Sequence, residues 1–228
     1  MKHRIQVLVC VATLAATMAE GQTLLGLSLG AGYGGLKEDF NQGGSAATLL
    51  YSGPAVNIEA ELIFGDLYAN MALGLIVMPA VTLAGAVVDT TGYETNLGFD
   101  FTALGLGYQV KLSERLKAGA AIGFHVSGPS MTPPGEDSTK VGFGGYYGLI
   151  GVDLIPRVRY SFGDNFALTL GLPLGLDFSA MSTDVVVFGQ PTGATSPAIV
   201  TPSTLQPKFF GLSYGLYLSL CYLFPSPF

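Results

Sequence analysis

Hydrophobic and polar residues alternate along much of the chain, and the alternation is clearest near its C-terminal end. Between residues 210 and 224 every even-numbered residue is apolar or aromatic, whereas most odd-numbered residues are Gly, Ser or Cys. Residues 166–178 repeat the pattern, with Phe and Leu at the even positions. Successive side chains of a β-strand point to opposite faces, so each segment predicts a strand with one apolar face.

Six further segments alternate in the same way, which brings the predicted strands to eight. They are residues 25–33, 56–64, 67–77, 95–112, 116–126 and 146–160. In residues 95–112 the alternation shifts by one position near Ala103, which predicts a β-bulge. Pro156 and Pro173 lie within predicted strands. A closed barrel has no edge strand to accept proline, so each must lie at an irregularity or near a rim.

The connections between these strands are alternately short and long. Short turns of suitable chemistry occupy residues 65–66, 113–115 and 163–165. Long loops occupy residues 34–47, 79–92, 128–140 and 180–207. Short turns at one end and long loops at the other are typical of bacterial outer-membrane barrels. The predicted fold is therefore all-β, an eight-stranded antiparallel up-and-down transmembrane β-barrel with four long outer loops. Ten strands result if residues 185–188 and 198–200 form a further hairpin.

Composition supports a membrane protein over a soluble one. Only 11% of the residues are charged and the mean hydropathy is +0.48, whereas about a quarter of a soluble domain is charged. Two uncharged segments, 67–88 and 209–228, are long enough for membrane helices, but their Gly and Pro residues disfavour a helix and the β-branched residues of the first favour a strand. A closed barrel satisfies every backbone group without water. The formal charge of -6 argues against nucleic acid as a partner.

The N-terminal residues predict export from the cytoplasm. A basic start with Lys2 and Arg4 precedes an apolar run over residues 5–16. Small residues then supply a cleavage position, which predicts a secretory signal peptide at residues 1–19 and a mature barrel at residues 20–228. The expected location is the cell outer membrane of a two-membrane bacterium, with outer-membrane lipid as the surrounding partner.

The mature chain contains a single cysteine, Cys221, and a single histidine, His125. An intramolecular disulfide is therefore impossible, and so is a zinc site built mainly from Cys and His. We accordingly predict no cofactor and no metal site from the sequence.

Taken together, these features resemble a known kind of protein. The export signal, the eight alternating segments, the turn pattern and the C-terminal Phe228, with aromatic residues shortly before it, are similar to the outer membrane protein W and X families. The resemblance covers the whole mature chain and implies the barrel fold. It also implies that Phe228 is read by the barrel assembly machinery, and that small hydrophobic solutes are accepted.

One short motif carries possible catalytic chemistry. His125 and Ser127 are two residues apart on a strand, so both side chains point to the same face, where His could activate Ser for attack on an acyl ester. The spacing is similar to that in outer-membrane lipid A deacylases and phospholipases. Glu136, Asp137 and Asp153 are candidates for the orienting acid. A polar pair without catalytic function, facing the lumen, is the interpretation that we favour.

Five charged residues are predicted to face the lumen at the turn end of the barrel. They are Glu59, Glu61, Lys117, Arg157 and Arg159. The second and sixth strands of an eight-stranded barrel lie opposite each other, and buried charges must pair to avoid a large desolvation cost. These residues are therefore expected to form a charge belt, either as a structural plug or as a functional gate.

An eight-stranded barrel has room inside only for side chains or one small ligand. The second loop is apolar, with Val81, Leu83, Val87 and Val88, and so is the fourth. Our first functional hypothesis is non-enzymatic: the barrel binds or passes small, hydrophobic solutes through a narrow plugged lumen. The second is an outer-membrane lipid acyl-hydrolase that uses His125 and Ser127. The third is a surface adhesin or a purely structural barrel.

Overall fold

A computed structural model describes residues 23–42, 45–83, 86–90, 93–132, 142–188 and 205–225. Its regular elements are all β-strands: β1 (Thr23–Gln42), β2 (Ser45–Phe64), β3 (Leu67–Val77), β4 (Ala80–Leu83), β5 (Ala86–Asp89), β6 (Thr95–Lys111), β7 (Leu116–Thr132), β8 (Gly142–Ser161), β9 (Phe166–Gly171), β10 (Leu174–Phe188) and β11 (Leu205–Pro225). No helix within these ranges is long and apolar enough to cross a bilayer. The predicted signal peptide, residues 198–200 and Phe228 lie outside them.

The strands form a closed antiparallel ring. Each wall strand pairs with its neighbours in the sequence, and β1 pairs with both β2 and β11, which closes the sheet. Consecutive β9 and β10 make up one wall strand between β8 and β11, and β4 and β5 form an extra hairpin beside β2. The composite strand joins β1, β2, β3, β6, β7, β8 and β11 to give a ring of eight wall strands. The predicted fold class is therefore confirmed. We call the end with the three short turns the turn end and the opposite end the loop end.

The two faces of the wall differ as the alternation predicts. In β11 the even-numbered Leu and aromatic side chains are exposed, whereas Ser213, Ser219 and Cys221 are buried. Similar rows of exposed Leu, Val and Phe run along the other wall strands. At the turn end, Phe166, Tyr222 and Phe224 pack in edge-to-face contacts on the outer surface. An apolar band with aromatic residues at its border is the outer surface of a transmembrane barrel.

The wall strands are longer than the alternation indicated. Strands β1 and β2 remain paired as far as Gln42 and Ser45, so most of the predicted first loop is strand. Strand β7 continues to Thr132, and β10 continues to Phe188 along β8. Residues 185–188 therefore extend a wall strand and do not begin a separate hairpin. The apolar alternation ends earlier than the strands, because only the lipid-facing part of a wall must be apolar.

Both strand irregularities expected from the sequence are present. The register of β6 and β7 shifts between Thr102 and Leu104, which confirms the bulge. Pro173 lies in the break between β9 and β10, and Pro156 faces that break from β8, since β8 pairs with β9 up to Gly171 and with β10 from Leu174. The carbonyl of Pro156 still accepts a hydrogen bond from the Leu172 N–H at 3.0 Å. Both prolines thus occupy one interruption of the wall.

Candidate functional site

Three groups of lumen side chains bear on function between the loop end and the turn end, and a second apolar cluster that includes Ile63, Tyr68 and Leu223 lies beside the last of them. At the loop end, an apolar cluster is formed by inward-facing residues: Leu36, Leu49, Tyr51, Ala55, Ile76, Met78, Val81, Met131, Leu149 and Tyr217. Below it lies a histidine cluster, formed by Asp100, His125, Asp153 and Asp177. Nearest the turns lies a charged belt, formed by Glu59, Glu61, Arg157 and Arg159. The functional candidates therefore all lie inside the barrel.

The charged belt joins β2 to β8 across the lumen. Arg157 Nη1 donates to Glu61 Oε2 at 2.8 Å and lies 3.4 Å from Glu59 Oε1. Arg159 Nη2 pairs with the other oxygen of Glu61. All four side chains are buried. The carboxylate of Glu61 thus pairs with two guanidinium groups and links β2 to β8.

Neighbouring polar and aromatic groups hold the charged belt in position. Asn70 Nδ2 donates to Glu59 Oε1 at 2.9 Å, and Arg159 Nε donates to Thr169 Oγ1 at 3.2 Å. The guanidinium carbon of Arg157 lies 3.4 Å from the ring centroid of Tyr68, a cation–π contact. The fifth predicted member, Lys117, is half-buried near the turn end and makes none of the ion pairs among the described residues.

The histidine cluster draws one residue from each of four neighbouring wall strands. His125 of β7 has its Nδ1 2.6 Å from Asp153 Oδ1 of β8, at an angle unfavourable for a hydrogen bond, and its Nε2 2.6 Å from Asp177 Oδ1 of β10. Asp100 of β6 completes the cluster. One carboxylate oxygen of Asp100, one of Asp153 and one ring nitrogen of His125 lie within 4.8 Å of one another. Only 1% of His125 is exposed.

Glycines make room for the imidazole ring. His125 pairs with Gly151 in β8, and a Cβ atom at Gly151 would lie 2.7 Å from His125 Nε2. A Cβ atom at Gly175 of β10 would lie 2.5 Å from His125 Cε1. Both distances are far below van der Waals contact, so the inward glycines of β8 and β10 are what allows a ring to cross this part of the lumen.

In the structure, the side chains of His125 and Ser127 are not arranged as a base and its nucleophile. Both residues face the lumen, but the Ser127 hydroxyl donates to Asp177 Oδ1 at 3.0 Å and both ring nitrogens of His125 face carboxylates. Nucleophilic activation requires a ring nitrogen that can accept the serine proton. Of the proposed orienting acids, Asp153 lies against His125, whereas Glu136 and Asp137 lie outside the described residues.

We expect Ser127→Ala to leave the lipids of expressing cells unchanged. The reason is that the Ser127 hydroxyl donates a hydrogen bond to Asp177, and neither ring nitrogen of His125 is free to accept its proton. Mass spectrometry of lipid A and phospholipids from cells with wild type, variant or empty vector checks this. A deacylated lipid that appears with wild type and disappears with Ser127→Ala would restore the hydrolase hypothesis.

A cavity separates the charged belt from the histidine cluster. Its volume is about 40 Å³, measured as the space open to the centres of water molecules. Glu59 and Arg157 line it on one side, and Asp100 and Thr102 on the other. A buried water molecule needs roughly 10–15 Å³ by this measure, so the cavity has room for a few. Arg157 Nη2 lacks a hydrogen-bond partner in the described part of the chain, and water in this cavity would supply one.

Sequence reasoning missed two members of the histidine cluster. Asp177 is the only charged residue on the small-residue face of residues 166–178, and that isolation was a usable signal. Asp100 lies opposite the apolar face formed by Leu97, Phe99 and Phe101, before the alternation shifts, so its inward orientation was also available from the sequence.

Comparison with solved structures agrees with the fold. The outer membrane protein OprG from Pseudomonas aeruginosa superimposes with a TM-score of 0.51 at 10% identity, over 90% of this chain and 99% of that one. The chain has the fold of the small outer-membrane β-barrels. Neisserial surface protein A has a TM-score of 0.48 at 12% identity, over 87% of this chain and 97% of that one. The outer membrane protein AlkL has 0.46 at 16%, over 91% and 92%.

No protein-family model matches the sequence, and no curated protein is significantly similar to it. Its place among small outer-membrane barrels therefore depends on structure. The apolar outer wall and the closed ring of strands are consistent with that class, and the protein is an integral protein of the bacterial outer membrane.

Proposed function

We propose that this small outer-membrane barrel binds or passes small hydrophobic solutes that enter at its loop end. The apolar cluster is the observation that carries the proposal, because a transmembrane barrel usually has a polar lumen. Here the inward positions near the loop end carry large apolar side chains, among them Leu49, Tyr51, Met78 and Leu149, all buried. A hydrophobic solute would replace contacts between these side chains with contacts of the same kind.

The β4–β5 hairpin is placed to control access to the apolar cluster. Val81 of β4 is fully buried in the cluster, whereas Val87 of β5 is 72% exposed. The hairpin is attached to the wall through three residue pairs between β2 and β4, from Leu49↔Leu83 to Tyr51↔Val81. Segments with few pairings open at lower free energy than the long wall strands. Solute entry therefore requires the hairpin to move, while the ring of strands stays closed.

A reversible disulfide tests this role of the hairpin. Leu50 of β2 and Thr82 of β4 are direct cross-strand partners, and such pairs lie within the Cα separation of disulfides. We expect Leu50→Cys/Thr82→Cys, when oxidised, to slow the entry of 1-N-phenylnaphthylamine into cells to the rate of cells without the protein. The reason is that β4 can no longer leave β2. The measurement is probe fluorescence in cells with an intact lipopolysaccharide leaflet.

Two controls make the result interpretable. Adding a reducing agent to the same cells should restore the wild-type rate, and each single cysteine variant should be unaffected by oxidation. A fully oxidised variant that still admits the probe at the wild-type rate would contradict the proposed entry route. Wild-type cells no faster than empty-vector cells would contradict solute passage itself.

A further inference from the structure

Four buried polar atoms of the histidine cluster lack a hydrogen bond of favourable geometry: Asp177 Oδ2, and three that belong to side chains converging on one point. Those three are Asp100 Oδ1, His125 Nδ1 and Asp153 Oδ1. The three side chains present ligand atoms within 4.8 Å of one another. Unpaired buried polar atoms are rare in native proteins and call for a water molecule, an ion or a specific role. Here the converging atoms are two carboxylate oxygens and an imidazole nitrogen, which is a metal-binding set of donors. His125 Nδ1 and Asp153 Oδ1 already lie 2.6 Å apart as an ion pair, whereas Asp100 Oδ1 has no partner among the described residues.

The other polar atoms of the same residues are held by neighbours that would orient metal ligands. Asp177 Oδ1 contacts His125 Nε2 at 2.6 Å, so Nδ1 is the nitrogen directed at Asp153. Thr102 Oγ1 donates to Asp153 Oδ2 at 2.8 Å, which leaves Oδ1 of that carboxylate available. A carboxylate on the far nitrogen of a ligating histidine is the usual support of a metal site, since it sets the tautomer and the orientation of the ring.

A cation would also offset the charge of the cluster. Three carboxylates surround one imidazole, and none of the ion pairs in the described residues brings a Lys or Arg to them. If all three carboxylates are ionised, a protonated imidazole offsets only one of their charges. Buried charge without a partner is strongly unfavourable. One divalent cation would neutralise this excess without any rearrangement of the strands.

We propose that Asp100, His125 and Asp153 bind one divalent transition-metal ion inside the barrel. Mixed imidazole and carboxylate donors suit first-row ions such as Zn²⁺, Ni²⁺ and Co²⁺. Around Zn²⁺, with bonds of about 2.0–2.2 Å, neighbouring ligand atoms lie roughly 3.3 Å apart. Rotation of the three side chains brings the observed set to this spacing. Three protein ligands leave at least one position open, and the cavity lined by Asp100 and Thr102 can supply water to it.

Zinc binding by the purified mature protein in detergent tests the site. We expect equilibrium dialysis followed by elemental analysis to give one Zn²⁺ per barrel, and Zn²⁺ to raise the thermal unfolding midpoint because only the folded barrel assembles the ligands. Asp100→Asn removes a ligand charge and none of the hydrogen bonds described above, so it should fold as wild type does and lose stoichiometric binding. Asp177→Asn alters the support of the ring and the acceptor of the Ser127 hydroxyl but no proposed ligand, so it should weaken binding by about 10–100-fold.

Cys221→Ser is the matched control, since Cys221 carries a free thiol buried inside the barrel near Glu61. This variant should bind Zn²⁺ as wild type does. Absence of stoichiometric binding in wild type would overturn the proposal. Unchanged binding in Asp100→Asn would also overturn it, as would binding that disappears with Cys221→Ser. His125→Gln should abolish binding where it folds, but the conclusion does not depend on that variant.

Discussion

Replacing both Glu59 and Glu61 by Gln should lower the free energy of unfolding by about 3–5 kcal/mol, the usual effect of breaking a buried ion pair from one side. The double variant leaves Arg157 and Arg159 buried with no carboxylate opposite them. Water entering from the adjacent cavity would relieve part of this cost and loosen the turn end. Urea unfolding in detergent measures the first effect. Single-channel recording measures the second, as larger or more frequent openings.

Two variants serve as controls for the belt. Lys117→Gln removes a charge near the turn end without breaking a described ion pair, so it should behave as wild type in both measurements. A second variant exchanges the charges of β2 and β8 through the substitutions Glu59→Arg, Glu61→Arg, Arg157→Glu and Arg159→Glu. It should restore the closed state in part, because opposite charges again attract each other across the lumen. If the double Gln variant conducts and unfolds as wild type does, the charged belt is not a gate.

Leu218→Arg should destabilise the barrel by about 2–4 kcal/mol, the cost of Arg on the lipid face near the bilayer midplane. Leu218 is 56% exposed and lies at the middle of the outward apolar row of β11. The guanidinium would lie in hydrocarbon with no partner in the wall. Folding from urea into lipid vesicles, followed by the heat-modified mobility of the folded barrel, gives the change in free energy.

The turn residue Glu114 provides the comparison for this prediction. It is exposed in the turn between β6 and β7, so Glu114→Arg should fold into vesicles with nearly wild-type stability. Equal stability of Leu218→Arg and Glu114→Arg would mean that the outward face of β11 is not in contact with lipid.

The charged belt shows how far local pattern reaches in this protein. Glu59 and Glu61 are two residues apart and come shortly before one tight turn, and Arg157 and Arg159 have the same spacing before another. Each pair therefore shares one face of its strand and lies near the turn end. The closed ring then places β2 opposite β8. This is enough to anticipate the pairing of Glu61 with Arg157. It does not separate Lys117, which makes no ion pair with any residue that the structure describes.

The histidine cluster shows where local pattern stops. The parity of β7 directs His125 inward, but the height at which Asp153 and Asp177 meet it is set by the register of three neighbouring strands. Asp100 lies before the bulge at residues 102–104, on the inward face of β6 with Thr102, and it reaches the cluster through the register of β6 with β7. Register between strands depends on closure of the whole barrel, which no short segment encodes.

By itself, the sequence determined the strand type and the face that meets lipid, while it left open whether there are eight strands or ten. The strand type and the lipid face each follow from a period of two residues, and that period is a property of neighbouring positions in one strand. The tertiary structure decided which lumen groups meet: His125 with Asp177, 52 residues away, and Arg157 with Glu61, 96 residues away. It also decided that an apolar cluster closes the loop end. The contact of Arg157 with Glu61 crosses the lumen and depends on closure of the ring, whereas the contact of His125 with Asp177 depends on the register of neighbouring strands.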